Sequence, residues 1–418
     1  MRILVLSQYP IYPAIHGGQK RTAAIVAFYK KKHSVTHVAI SWPDTYKEQS
    51  TSPCSKQFVV TDKRLLTQLQ LHPERADLLL GQSLSTRSKI SRDLRSIIES
   101  FNPDFIHIEQ PYLVTPVNSI LREVTHRPIV VYGSQNVEYL LKEAIYQHIL
   151  SRKDLRYLLS QTKSTEDAAS KIADINLGVS RIDIETLRQR ADVWRPWSWV
   201  LVGNGTDQIA NSIPKDELHT SQSKIVFIGS AHPPNYIGIE ELLYDTRFLG
   251  KNNVLWLIGG VANYFYEKYE KDDLFWVGKI ATGQVDEKNL QTHIEQADII
   301  VLPINTGGGS NLKTVEAIYA RKKIVSTTFA FRGFEQYKTF PNVYIADTPD
   351  EFKDSILRAL SSEYQQYTED QRCQIRYLVW DRALRPLNWV ISYARLLLLI
   401  GSAKTFFSGK AKGRDAIL

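Results

Sequence analysis

The chain has 418 residues, a length for two or three domains. Its 43% hydrophobic and 23% charged residues exclude a disordered, collagen-like or fibrous chain, and two cysteines as far apart as Cys54 and Cys373 exclude a disulfide framework and a cysteine-based zinc site and fit a reducing compartment. Lys and Arg number 52 against 44 Asp and Glu, a net charge of +8; residues 1–195 hold 27 and 19, residues 196–418 hold 25 of each, so the first half is expected to face something anionic.

Met1–Leu6 (MRILVL) meets polar, proline-containing sequence too soon for a signal peptide and reads as a first buried strand. A loop through Gly17 and Gly18 and a helix around Arg21–Lys31 follow. Val35–Ile40, Phe105–Ile108, Ile129–Tyr132 and Ile175–Val179 are further short apolar runs between helical stretches. The second half repeats the alternation with Ile225–Ile228, Val254–Ile258, Phe275–Val277, Ile299–Leu302, Ile324–Ser326 and Val343–Ile345. Short apolar runs alternating with helices predict parallel sheets covered on both faces, here two Rossmann-like domains in tandem. Pro196 and the Asn204-Gly205 turn place the join within Trp194–Asp207. The expected domains are 1–207 and 208–379. The Tyr377–Ile400 stretch reads as a long amphipathic helix interrupted at Pro386, its 380–400 part packing back on the first domain. Residues 401–418 read as a loose basic tail. Leu387–Ile400 is interrupted by Arg395 and falls short of the ~20 apolar residues of a membrane span. The expected location is cytoplasmic, with peripheral attachment at a membrane face left open.

The strongest chemical signal runs from Ala297 to Gly333. A strand enters a loop with Gly307, Gly308 and Gly309, and a helix starts near Ser310 or Asn311. Glycines admit close approach of an anion, and a helix start offers N–H groups and a positive dipole end. Lys313 in the first turn suits a phosphate, and Glu316 three residues on suits a ribose diol. The same residues also fit a plain turn followed by a surface ion pair. The spacing is not that of a Walker A loop.

The pattern P-x4-GGG-x2-LK-x2-EA, then a strand ending in Ser-Thr and a Gly, resembles the donor-binding signature of retaining glycosyltransferases of the GT-B fold, the GT4-like (glycosyltransferase group 1) family. The resemblance extends over some 330 residues: Gly17-Gly18, PDFIHIEQP (Pro103–Pro111), SQNVEY (Ser134–Tyr139), VGNGTD (Val202–Asp207), FIGSAHPPN (Phe227–Asn235), LIGG (Leu257–Gly260) and VGKI (Val277–Ile280) fall in the family's order. It implies an α/β GT-B chain, two Rossmann-like domains facing across a cleft, with the first domain taking the acceptor and the second the nucleotide-diphosphate sugar. Lys313 with the Gly308 and Gly309 amides would bind the pyrophosphate, and Glu316 the ribose. Gly17 and Gly18 would pass close to the transferred sugar, Gly229 and Ser230 would line the donor side, and Gly278, Lys279 and Ile280 would lie near the base. No metal and no cofactor are expected, because amides and a lysine supply the positive potential.

The chain departs from the family at two positions. Gly308 stands where many relatives carry a Glu, and Gln135 stands where they carry a His under the anomeric centre; Gln cannot titrate. Glu109 and Glu138 are the carboxylates left as acceptor base or sugar ligand, and with Gln135 they make up the candidate catalytic set. Equally, Glu109 fits a solvated loop residue and Glu138 a helix-start carboxylate facing the dipole. The family also implies a glycan or lipid-linked acceptor and a role in bacterial envelope or exported-polysaccharide assembly. Within 63–95, Lys63, Arg64, Arg75, Arg87, Lys89, Arg92 and Arg95 alternate with Leu65, Leu66, Leu69 and Leu71, a pattern that fits an anionic leaflet. Lys30–Lys32 reads as a solvated helix end. No nucleic-acid module is visible, so nucleic acid is not an expected partner. A nucleotide-sugar-binding protein without turnover and a nucleotide-sugar epimerase of the same fold remain the alternatives.

Overall fold

The computed structural model describes residues 1–43, 55–85, 88–193, 198–207 and 222–412, with the backbone alone described for 287 and 401–412. Cys54, Arg87, residues 194–197 of the expected join and the 208 boundary lie outside the described residues. The chain divides into two compact units. Unit 1 comprises 1–139, 150–202 and 384–418; unit 2 comprises 140–149 and 203–383.

Unit 1 is built on a seven-stranded parallel sheet of β1 (Arg2–Ser7), β2 (Ser34–Ser41), β3 (Ser55–Val59), β4 (Phe105–Glu109), β5 (Ile129–Gly133), β6 (Ile175–Gly178) and β7 (Trp199–Leu201), in the order β3-β2-β1-β4-β5-β6-β7. Side chains alternate between faces along a strand. Leu4, Leu6, Ile106, Ile108, Val130 and Tyr132 enter one core with Leu94, Ile98 and Val117 from the covering helices. Phe105, of opposite parity and paired with Ile3, meets the ring of Tyr29 from the Gly17–Lys30 helix. Both faces are covered, which is why the strands read as continuous apolar runs.

Unit 2 repeats the plan with six parallel strands, β8 (Ser223–Ile228), β9 (Asn253–Ile258), β10 (Lys279–Thr282), β11 (Ile299–Leu302), β12 (Lys323–Ser326) and β13 (Val343–Ile345), ordered β10-β9-β8-β11-β12-β13. Val226, Ile300, Leu302 and Ile324 lie in one core, Ile225, Phe227, Ile299, Val301 and Val325 in the other. In both sheets the strand order reverses beside the first strand, between β1 and β4 and between β8 and β11. Open α/β sheets bind ligands beyond the carboxyl ends of their strands at such a reversal.

Four local expectations are corrected. Phe275–Val277 is not a strand: Asp272 accepts a hydrogen bond from the Phe275 amide at 3.1 Å and caps a short Asp273–Trp276 helix, and the strand is β10. β3 was not anticipated, because SKQFV carries no apolar run and stands at a sheet edge. The first helix begins at Gly17, capped by His16, rather than around Arg21. The helix from Pro386 continues to Lys412 where a loose tail was expected from 401. No proline interrupts it, and each interior glycine costs only about 1 kcal/mol. Trp380–Ile400 is also long and apolar enough to cross a membrane by length and composition alone. Its Leu387, Val390, Ile391 and Ala394 are buried on the unit 1 sheet near β5 and β7.

Candidate active site

In unit 1 the candidate residues converge beyond the ends of β1, β4 and β5. Glu109 closes β4 and is fully buried, not a solvated loop residue. His107 Nε2 lies 2.8 Å from Glu109 Oε1, and Gln135 Nε2 donates to Glu109 Oε2 at 2.6 Å. Arg21 from the first helix adds an ion pair, its Nε 3.7 Å from Oε2. Burial alone would raise the Glu109 pKa. The His107 hydrogen bond and the Arg21 charge overcome it and hold the carboxyl below its ordinary range. The ionised carboxylate only accepts, so His107 donates from Nε2; in the neutral ring that leaves Nδ1 to accept from Tyr29 Oη, 3.0 Å away. Gln135 Nε2 also reaches Tyr9 Oη at 2.7 Å. The result is a closed polar lattice of Tyr29, His107, Glu109, Gln135 and Tyr9.

Two glycines give this lattice its room. A Cβ on Gly133 would stand 2.2 Å from Glu109 Oε1, and one on Gly18 would stand 2.5 Å from Tyr9 Oη and 2.7 Å from Gln135 Oε1. The first helix opens at Gly17, and Gly18 lies directly against Tyr9 and Gln135. His16 caps that helix, its ring edge-on to Tyr9 at 4.8 Å, and burial lowers it to about 4. Sequence reading missed His16, although the HGG run displays it.

Glu138 is buried at the start of the Glu138–Tyr146 helix, where Tyr112 Oη and Asn136 Nδ2 each donate to it at 3.2 Å. The carboxylate at that helix end belongs to Glu166, unmarked in the sequence. It accepts from the Glu138 amide at 2.6 Å, the Tyr139 amide at 3.3 Å and Arg190 Nη2 at 2.9 Å. Burial still raises Glu166 to about 6.

In unit 2 a second group forms beyond β8 and β11. Lys313 lies in the first turn of the Leu312–Tyr319 helix, and its Nζ donates to Asn235 Oδ1 at 3.0 Å. Asn235 Nδ2 in turn donates to Ser230 O at 2.9 Å. One side chain, Asn235, thus joins the Lys313 turn to the Gly229-Ser230 turn. Gly229 is buried, and its N–H and C=O are bonded to Ile258 and Val261, so it shapes the turn while Ser230 is exposed. In the triple-glycine loop Gly307 and Gly309 have φ of 123° and 63°, where a side chain is strained. Arg332 Nε donates to Gly309 O at 2.6 Å, and its Nη1 reaches Gly307 O at 3.5 Å. Asn204 Nδ2 donates to Ser310 O at 3.1 Å. With its carbonyls held from behind, the loop keeps one shape, and Gly308 stays half-buried between the braced residues. The helix starts at Leu312, and its cap Asn311 accepts from the Lys313 amide at 3.1 Å, so that donor is already engaged. Glu316 is half-buried one turn on. Asn204, Asn235 and Arg332 were missed as site residues, although all three lie within the quoted motifs.

The proposed base-side residues do not join this group through their side chains alike. Lys279 is buried and donates to Phe275 O at 2.6 Å, Tyr244 O at 2.8 Å and Thr246 Oγ1 at 3.1 Å, and burial lowers it to about 8. Its ammonium tethers β10 to the preceding elements. Ile280 is exposed on that strand, and Gly278 has a φ of 71°. Among the described residues no three His, Cys, Asp or Glu side chains gather as a metal site.

Residues 222–362 match a family model described as glycosyl transferases group 1. Solved structures share the fold across both units. Sucrose-phosphate synthase from Thermosynechococcus elongatus has a TM-score of 0.67 at 13% identity, covering 96% of this chain and 100% of that one. A structure titled trehalose-6-phosphate from E. coli, bound with UDP-2-fluoro glucose, has 0.62 at 13%, covering 94% and 99%. WaaG, a glycosyltransferase involved in lipopolysaccharide biosynthesis, has 0.59 at 14%, covering 92% and 94%. No curated protein sequence matches the chain. The chain therefore has the GT-B glycosyltransferase fold, and the greater part of its unit 2 matches glycosyl transferases group 1.

Proposed function

We propose that this chain is a metal-independent glycosyltransferase, hexosyltransferase-like, that moves a sugar from a nucleotide-diphosphate sugar to a glycan or lipid-linked hydroxyl with retention of configuration. The observation that carries the reading is the Lys313–Asn235–Ser230 chain beside the braced glycine loop, inside the segment that matches group 1 glycosyltransferases. A fixed ammonium beside a loop shaped by glycine suits a leaving diphosphate, and preorganised donors are the largest single source of such catalysis. In the transfer, the acceptor oxygen bonds to the anomeric carbon as that carbon's bond to the phosphate oxygen breaks. The hydroxyl proton needs an acceptor. Glu109 is buried and held below its ordinary range by its partners, which supports a role in positioning Gln135 rather than in proton transfer. The departing phosphate oxygen then takes the proton. Envelope or exported-polysaccharide assembly is the proposed setting, supported by the stated role of WaaG among the structural neighbours.

Release of nucleoside diphosphate from UDP-, GDP- and ADP-sugars with candidate acceptors tests the reading, beside thermal shifts with the same donors. A ligand held only by the folded state raises apparent stability. Donor-dependent stabilisation without transfer to any acceptor would leave the binding-protein reading, which the non-titrating Gln135 favours. Product formed from the donor alone would indicate an epimerase.

A further inference from the structure

The first-half basic region divides differently in the folded chain than in the sequence. Unit 1, as folded, holds 32 Lys and Arg against 19 Asp and Glu, while unit 2 holds 20 against 25. The excess is therefore +13 in one unit and −5 in the other. Yet the 63–95 stretch is a poor docking surface. Leu65, Leu66 and Leu69 pack into the core while Leu71 stands exposed apart from them, Arg95 pairs with Glu99 and Glu123, and Arg75 pairs with Glu74.

The Pro386–Lys412 helix has the opposite character. It carries Arg395, Lys404, Lys410 and Lys412 and no acidic residue. Leu387, Val390, Ile391 and Ala394 cover one face and are buried. Trp389, Tyr393, Leu396 and Ile400 recur at i, i+4, i+7 and i+11, and helical periodicity sets them on the opposite face. Trp389 is 40% exposed, Leu396 50%, Ile400 45%, and Leu399 beside them 69%. The rings of Trp389 and Tyr393 stack, with centroids 4.9 Å apart. Arg395 also acts on His33, together with the amino terminus and Lys32, so the helix brings its charge to the Lys30–Lys32 run. One face is fixed to the sheet, so the helix lies on a surface and does not cross a bilayer. Two such helices from two copies would bring like charges together, which disfavours self-association as the cover.

We propose that the outward stripe of the Pro386–Lys412 helix, centred on Trp389, Leu396, Leu399 and Ile400 and flanked by Arg395, seats unit 1 on an anionic lipid bilayer. Interfacial helices bind by apolar insertion plus attraction to anionic headgroups. The proposal does not depend on the donor chemistry, because empty vesicles test it.

Full-length protein is floated with vesicles of 30% phosphatidylglycerol in phosphatidylcholine and with phosphatidylcholine alone. Binding to the anionic vesicles is expected, with partitioning falling about tenfold or more for Leu396→Asp/Leu399→Asp and by about fivefold for Arg395→Glu. Lys63→Glu/Arg92→Glu is expected to leave it within about twofold, since those residues lie off the stripe. All replaced side chains are outside the core, and an unchanged melting temperature confirms folding. Wild-type binding by the leucine variant, equal binding to neutral vesicles, or no vesicle binding overturns the proposal. A dimer in sedimentation that the leucine variant dissociates, without vesicle binding by the wild type, assigns the stripe to a second copy and also overturns it.

Discussion

The two units place polar residues beyond the same reversal of strand order but use them differently. In unit 1, Glu109, His107, Gln135, Tyr9 and Arg21 are directed at one another and buried. In unit 2, Lys313 donates to the Asn235 side-chain oxygen, beside a loop whose carbonyls are pulled back by Arg332. The first arrangement satisfies its charges internally and holds a shape. The second ties a cationic side chain, through Asn235, to the Ser230 turn beside a loop shaped by glycine.

This contrast breaks most visibly at Glu109. Removing its charge leaves Arg21 buried without its counter-ion, and loss of one partner of a buried pair costs about 3–5 kcal/mol. Glu109→Ala is thus expected to lower stability by that amount in urea unfolding, whether or not donor is present. A loss within about 0.5 kcal/mol would mean the pair is unimportant. Because the Glu109 pKa is depressed by folding, its contribution is complete above the unfolded carboxylate range and fades as pH falls through the lower folded value.

Lys313→Ala is the counterpart in unit 2. Stability is expected to change little, while donor affinity falls by about 10- to 100-fold, the worth of a charge-assisted contact. Titration calorimetry with the donor that gives the largest thermal shift measures it. Unchanged affinity would remove Lys313 from the diphosphate site. A smaller effect is expected for Arg332→Lys, which keeps the charge but loses the planar fork that spans two carbonyls: roughly 3- to 10-fold in affinity, through a loosened loop.

Much of the fold was legible because both sheets are covered on both faces, so that ILVL, FIHI, IVVY and IIVL stand out as strands. β3 was illegible because an edge strand needs no apolar run, and Phe275–Val277 misled because a capped helical turn buries Phe275 as well as a strand would. Spacing marked Lys313 and the glycines of the loop as candidates, and the resemblance marked Ser230; the folded chain joins Lys313 to Ser230 through Asn235. Asn235 and Arg332 were not assigned, because their partners stand 78 and 23 residues away and only the folded chain joins them. For Glu109 a catalytic carboxylate and a solvated loop residue stayed equally open, because sequence does not show Gly133 making room for it.

Glu166 sharpens the comparison within unit 1 itself, since its pKa moves opposite to that of Glu109. Both are buried, but Glu109 has a histidine and an amide as close neighbours with Arg21 beside it, while Glu166 faces backbone amides and Arg190 and still rises from 4.5 to about 6. Between those values the folded chain binds more proton than the unfolded chain, so Glu166 makes stability decline as pH rises from about 4.5 to 6. Glu166→Gln keeps an acceptor for the Glu138 amide and removes the titration. The variant is therefore expected to lose the decline over that window while retaining the fall at lower pH that Glu109 produces. Urea unfolding at pH 4.5, 5, 5.5 and 6 measures the difference. Parallel curves for the two proteins would mean that Glu166 folds with its ordinary pKa, and that the amides of the helix start and Arg190 offset its burial.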